Sequence, residues 1–180
     1  MNQMDCKQAQ RVWSRVMAAQ TDAQNQTPAR SGQADAQAAH PASTAREQAP
    51  AVITPEQVME LISGEMRDAA TYRCLSARMK GCARKTLETL AHEERCHAKQ
   101  LGAIYFLLTG KKACPPRPEP PCITCNAETL RRQYQMELAA RERYESLAPL
   151  AGARACTMRE LALDECRHAQ KIYELLQTCL

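Results

Sequence analysis

Two stretches of this chain carry the same interrupted stripe. Leu87, Leu90, Glu94, His97, Leu101, Ile104 and Leu108 follow one another in steps of three and four. Met158, Leu161, Glu165, His168, Ile172, Leu175 and Cys179 repeat the alternation. Such spacing is the buried seam of a helix in a bundle. In both stretches a Glu-x-x-His stands at the middle of the seam, where an apolar pair belongs.

Two further stripes accompany them. Val58, Leu61 or Ile62, Glu65, Ala69 and Tyr72 share one helix face. Leu130, Tyr134, Glu137, Ala140 or Arg141, Tyr144 and Leu147 share another. Glu65 and Tyr72 recur 72 residues later as Glu137 and Tyr144, and Glu94 and His97 recur 71 residues later as Glu165 and His168. The chain is thus a duplicated helix pair, with one residue of drift at the interhelical turn.

Composition agrees with an all-α chain. Val and Ile total nine, aromatics are 4% and Gly numbers six, which leaves little for strands or hairpin turns. Helices are predicted over about 55–79, 83–109, 127–150 and 155–178. Thr54-Pro55-Glu56 reads as a helix start, and Gly81, Gly110 and Gly152 punctuate the ends. Short links make antiparallel hairpins of the first two helices and of the last two. Between the hairpins, Thr109 to Cys125 holds five prolines. An extended chain of about 3.1 Å per residue can run the length of a bundle, so this segment is expected to be a long crossover.

Residues 18–51 lack Leu, Ile, Val, Met, Cys and aromatics. They cannot bury enough apolar surface to offset their ordering entropy. The expected organisation is a short amphipathic helix over 1–19, built on Val12, Trp13, Val16 and Met17, a disordered linker over 20–52, and the bundle over 53–180. The net charge of +4 calls for neither nucleic acid nor an anionic membrane. No stretch reaches the ~20 apolar residues of a membrane span, and the first residues lack a signal-peptide core. The expected location is the cytoplasm. The ten cysteines are scattered, and free thiols are the expectation in a reducing compartment. Cys122 and Cys125 form one CxxC near Cys114, a weak signal that reads as two ordinary thiols before a redox dithiol or half of a metal site.

Ionised carboxylates in an apolar interior are costly unless paired or bound to metal. Four Glu and two His at mid-seam positions need a common partner. Residues three apart on a helix lie on one face, and carboxylates with imidazoles suit iron or manganese. One Glu from each of two helices, with Glu-x-x-His from each of the other two, is the donor set of di-iron bundles. The bland alternative is a polar core of salt bridges, with Tyr72 and Tyr144 as ordinary core aromatics. Glu93, Asp164 and His92 are expected on the outer face.

On these motifs, residues 55–178 resemble the ferritin-like superfamily, and within it the rubrerythrin family. The resemblance implies a four-helix bundle of two hairpins. Glu65, Glu94, His97, Glu137, Glu165 and His168 would ligate two iron ions, or manganese, and Glu94 and Glu165 would bridge them. Tyr72 and Tyr144 would serve as hydrogen-bonding or radical-quenching groups beside the ligands. Family members reduce hydrogen peroxide or oxygen, or oxidise ferrous iron. The resemblance implies an external electron donor, since no rubredoxin-like pair of CxxC motifs follows the bundle, and a homodimer. Rubrerythrins often place an extra Glu one turn from the third-helix ligand, where Gln133, Tyr134, Ala140 and Arg141 stand here. Iron oxidation and storage is the alternative activity, and a non-enzymatic helical interaction module the second alternative.

Overall fold

The computed structural model describes residues 52–178. The helix expected over 1–19 and the linker expected over 20–52 fall outside the described residues, Val52 apart. Among the described residues there are four α-helices and no strand. They are α1 (Pro55–Arg78), α2 (Gly81–Thr109), α3 (Asn126–Leu147) and α4 (Ala155–Thr178), with a 3-10 segment at Ala148–Arg154.

Each boundary has a local cause. Thr54 sits in extended backbone and accepts from the Gln57 N–H, while Gln57 Oε1 accepts from the Thr54 N–H, a reciprocal cap ahead of Pro55. Gly81 and Gly110 both have positive φ. Gly110 closes α2 in the left-handed region, its N–H bonded to the Phe106 carbonyl at 2.7 Å. The expected third helix ran to 150, but the α-helix stops at Leu147. Pro149 can donate no N–H and crowds the carbonyl four residues back, so the chain tightens into the 3-10 segment.

α1 packs along α2 and α3 packs along α4, whereas few backbone positions of the two hairpins approach within 8 Å. The crossover climbs beside α1. Pro116 shares a cavity with Pro55, Met59 and Ser63; Pro118 to Pro121 share another with Met66, Ala69 and Arg73; Asn126 Oδ1 then accepts from Arg78 Nε at 2.7 Å. The expected lengthwise crossover is what the chain does, and it makes α3 antiparallel to α1. The backbone of Ile53 bonds Leu150 at 3.0 Å and ties the start of the first hairpin to the turn of the second.

Apolar layers flank the middle of this assembly. Ile53, Val58, Leu61, Leu101, Ile104, Leu147, Met158 and Leu161 pack at one end. Leu75, Leu87, Leu90, Leu130, Ile172 and Leu175 are buried toward the other. No described helix is long and apolar enough to cross a membrane. Cys74, Cys82, Cys96, Cys114, Cys122, Cys125 and Cys156 are free thiols, as expected. Cys166 departs from that expectation and is disulfide-bonded, a pairing that spacing along a helix does not reveal.

Candidate metal centre

The four stripe glutamates and both stripe histidines are buried together between the apolar layers. Glu-x-x-His places Glu94 and His97 on one face of α2, and Glu165 and His168 on one face of α4. α1 and α3 contribute Glu65 and Glu137. The two imidazoles stack with centroids 5.2 Å apart.

Both histidines turn Nδ1 toward the carboxylates. His97 Nδ1 lies 3.2 Å from Glu94 Oε2, 3.1 Å from Glu165 Oε1 and 3.3 Å from Glu65 Oε2. His168 Nδ1 lies 2.8 Å from Glu94 Oε1, 3.1 Å from Glu165 Oε2 and 4.0 Å from Glu137 Oε2. Glu94 and Glu165 therefore each present one oxygen to each imidazole. Glu65 and Glu137 take the outer positions, one beside each histidine. Their other oxygens accept from tyrosines of the opposite hairpin: Tyr144 donates to Glu65 and Tyr72 to Glu137.

Nδ1 carries at most one proton, yet each faces three oxygens. Glu94 Oε1 and Glu165 Oε1 are accordingly within ion-pair reach of an imidazole but accept no hydrogen bond. Such buried oxygens are costly to leave unpaired. One donor atom each from Glu94, His97, Glu165 and His168 falls within 4.8 Å of the others, and this group could hold a metal ion.

Without metal, protons take up the strain. Burial, reinforced by the charges of Glu94 and Glu165, pushes the Glu65 and Glu137 carboxyls well above the usual range. Burial would raise Glu94 too, but the adjacent imidazoles of His168 and His97 outweigh it and hold Glu94 at about 2. Glu165 is lowered by the same two imidazoles against its burial. Burial opposes charge on the histidines, but the surrounding carboxylates prevail and raise His97 to about 12 and His168 to about 9. Burial first, then the adjacent carboxylates, raise Tyr72 and Tyr144.

Glu93 and Asp164, expected on the outer face, do more than face solvent. Glu93 Oε2 lies 3.0 Å from His168 Nε2 and accepts from Lys171 at 2.7 Å. Asp164 Oδ2 lies 3.4 Å from His97 Nε2, and its other oxygen pairs with Arg167. Each carboxylate reaches the histidine of the other hairpin because α2 and α4 run antiparallel. The signal was present in the sequence: an acid precedes the Glu in both motifs, at the same 71-residue offset. His92 is exposed, as expected, with Nε2 3.6 Å from Cys96 Sγ.

No family model, curated protein or solved structure matches this chain. The reading of the centre therefore rests on its own chemistry. One further acid, Asp68, lies one turn beyond Glu65, and its Oδ1 accepts from the buried Gln133 amide at 2.7 Å. Burial pushes Asp68 up to about 7 against that hydrogen bond. Its spacing from Glu65 could have drawn notice, but it breaks the repeat, since the equivalent residue of α3 is Ala140.

Proposed function

We propose that this chain is a ferritin-like four-helix bundle housing a carboxylate-bridged pair of iron ions, and that it reduces hydrogen peroxide or oxygen in the manner of the rubrerythrins. The observation that carries the reading is the double reach of Glu94 and Glu165. Each sets one oxygen beside each imidazole, as a bridging carboxylate must, while Glu65–His97 and Glu137–His168 form two end pairs. The charges also fit: four ionised carboxylates with two neutral imidazoles balance two divalent cations. Iron and manganese share this donor preference.

Glu65, Glu94, His97, Glu137, Glu165 and His168 would hold the two ferrous ions, which would supply the electron pair for reduction of peroxide to water, with an external donor to restore them. The side chains do the rest. Glu93 and Asp164 accept from Nε2–H, which fixes the tautomer that leaves Nδ1 free to ligate. Tyr72 and Tyr144 hold the outer carboxylates in orientation and keep a hydroxyl proton at each. The apolar layers above and below exclude water from the middle of the bundle.

Anaerobic ferrous loading followed by metal analysis tests the reading, with about two ions per chain expected for this donor set. Mixing the reduced protein with peroxide should then oxidise it within the mixing experiment, seen as growth of a near-ultraviolet ferric absorption. A metal content near zero in the folded protein rejects the centre. Full loading with no reaction toward peroxide or oxygen rejects the activity and leaves the centre.

A further inference from the structure

We infer that the cleft between α1 and α3 is the route by which divalent cations reach the centre, and that Asp68 guides them along it; the inference rests on the metal-centre reading above. The cleft holds about 190 Å³, and Glu65, an outer member of the cluster, forms part of its wall. At ~30 Å³ per water that is room for roughly six waters, the bulk of a hydrated divalent ion. The two larger cavities beside the crossover are lined by none of the six cluster residues.

Small residues keep the cleft open. Gly64 faces Ala139 and Ala140 across it. A Cβ built on Gly64 would meet nothing closer than Arg67 Nη2 at 3.9 Å, so the space is unfilled. A glycine inside a helix costs about 0.5–1 kcal/mol relative to alanine. Its placement on the wall of a cavity that touches the cluster gives that cost a purpose.

Charge supports the same direction of travel. Asp68 lies on the wall one turn from Glu65, its carboxylate held by Gln133. Arg67 and Arg143 also line the cleft, but Arg143 is tied to Glu60 across α1 and α3. On the opposite side, between α2 and α4, Lys171 and Arg167 cap Glu93 and Asp164. The first side offers three carboxylates, Glu60, Glu65 and Asp68, against two guanidinium groups, whereas on the second each carboxylate is already matched by a cation. The 72-residue offset that takes Glu65 to Glu137 takes Asp68 to Ala140. Both line this cleft, so one half supplies the acid and the other the room.

Cobalt(II) alone, added to metal-free full-length protein and followed by its visible absorption in a stopped-flow mixer, tests the route. Ala140→Leu, which fills the cleft, and Asp68→Asn, which removes the guiding charge, are each expected to slow uptake roughly tenfold, a barrier change of 1.4 kcal/mol. Final stoichiometry should be unchanged. Asp68→Asn should also weaken the salt dependence of the rate. Ala70→Leu, on a cavity apart from the cluster, should bind at the wild-type rate. If circular dichroism shows Ala140→Leu unfolded, Ala139→Leu at the exposed edge of the cleft takes its place. Full stoichiometry at unchanged rate in the cleft variants overturns the route alone. Wild-type protein that takes up no cobalt overturns the centre and the route together.

Discussion

The two hairpins of this chain repeat the same polar positions, yet neither holds the cluster by itself. Tyr72 of the first serves Glu137 of the second, and Tyr144 of the second serves Glu65 of the first. Glu93 reaches His168, and Asp164 reaches His97. Every supporting bond named here crosses between hairpins, so the polar cluster is the interface itself. A single hairpin would expose its seam acids to water and leave its imidazoles without Nε2 partners. The halves differ at one facing pair: Asp68 stands against Ala140, and buried Gln133 stands where the first half has Leu61.

The bridging acids offer the strongest way to break the equivalence of inner and outer carboxylates. Glu94→Ala should cut metal content to one ion or none, as metal analysis after anaerobic loading would read. The metal-free protein should also lose stability, because two charged imidazoles lose a partner held at about 2. Glu137→Gln should do the reverse in the metal-free state. Burial already disfavours the charge on its carboxyl, and the amide keeps an acceptor for Tyr72. A thermal melt of the two metal-free variants separates them.

Changing pH should drive metal-free and loaded protein apart. His168 is raised to about 9 and His97 to about 12. A group whose folded pKa is raised contributes stability fully below its unfolded value, about 6.5, and loses it as pH rises toward the folded value. The raised Glu65 and Glu137 act in the same direction from lower pH. Metal-free protein should thus melt at falling temperature from about pH 6.5 to pH 9. Metal binding needs neutral imidazole and ionised carboxylate, so affinity should climb over the same window. Parallel melting curves for the two forms would contradict the cluster's proton load.

The pairing of each acid with the opposite histidine can be tested half against half. Loss of a carboxylate behind a ligating histidine typically weakens metal binding 10–100-fold. Glu93→Ala should show this fully, since its contact with His168 is 3.0 Å. Asp164→Ala should fall at the lower end, since its contact is the longer at 3.4 Å. Competition with a chelator of known affinity measures both. Equal wild-type affinity in the two variants would return both acids to the surface.

Most of this was legible before the structure because helical periodicity is a strong local signal. It fixed the four stripes, and all six stripe acids and imidazoles are buried together. Thr54-Pro55 placed the start of α1 to the residue, since caps are chemistry of adjacent groups. What was missed depends on neighbours distant in sequence. Glu93 and Asp164 sit off the seam, and only the antiparallel pairing of α2 with α4 turns them toward a histidine. Asp68 is half-buried because Gln133 stands opposite it on α3. The disulfide at Cys166 and the early end of α3 complete the differences, the second readable from Pro149 alone.

The turns supply the smallest contrast between hairpins. α1 reaches α2 through Met79 and Lys80, whereas α3 reaches α4 through the 3-10 segment containing Gly152. Gly152 has φ 54° and ψ −122°, a region that a Cβ makes costly by about 1–3 kcal/mol. No atom outside its neighbours lies within 4 Å of a Cβ built there, so the penalty is one of backbone alone. Gly152→Ala should therefore destabilise the protein by an amount in that range, while Gly64→Ala, helical and unobstructed, should stabilise it by about 0.5–1 kcal/mol. Neither residue supplies a donor atom, so metal stoichiometry should hold in each. Denaturant unfolding of the metal-free variants reads the two signs. If Gly152→Ala costs nothing, the second turn can relax into an ordinary helical link, and the break between α3 and α4 belongs to Pro149 alone.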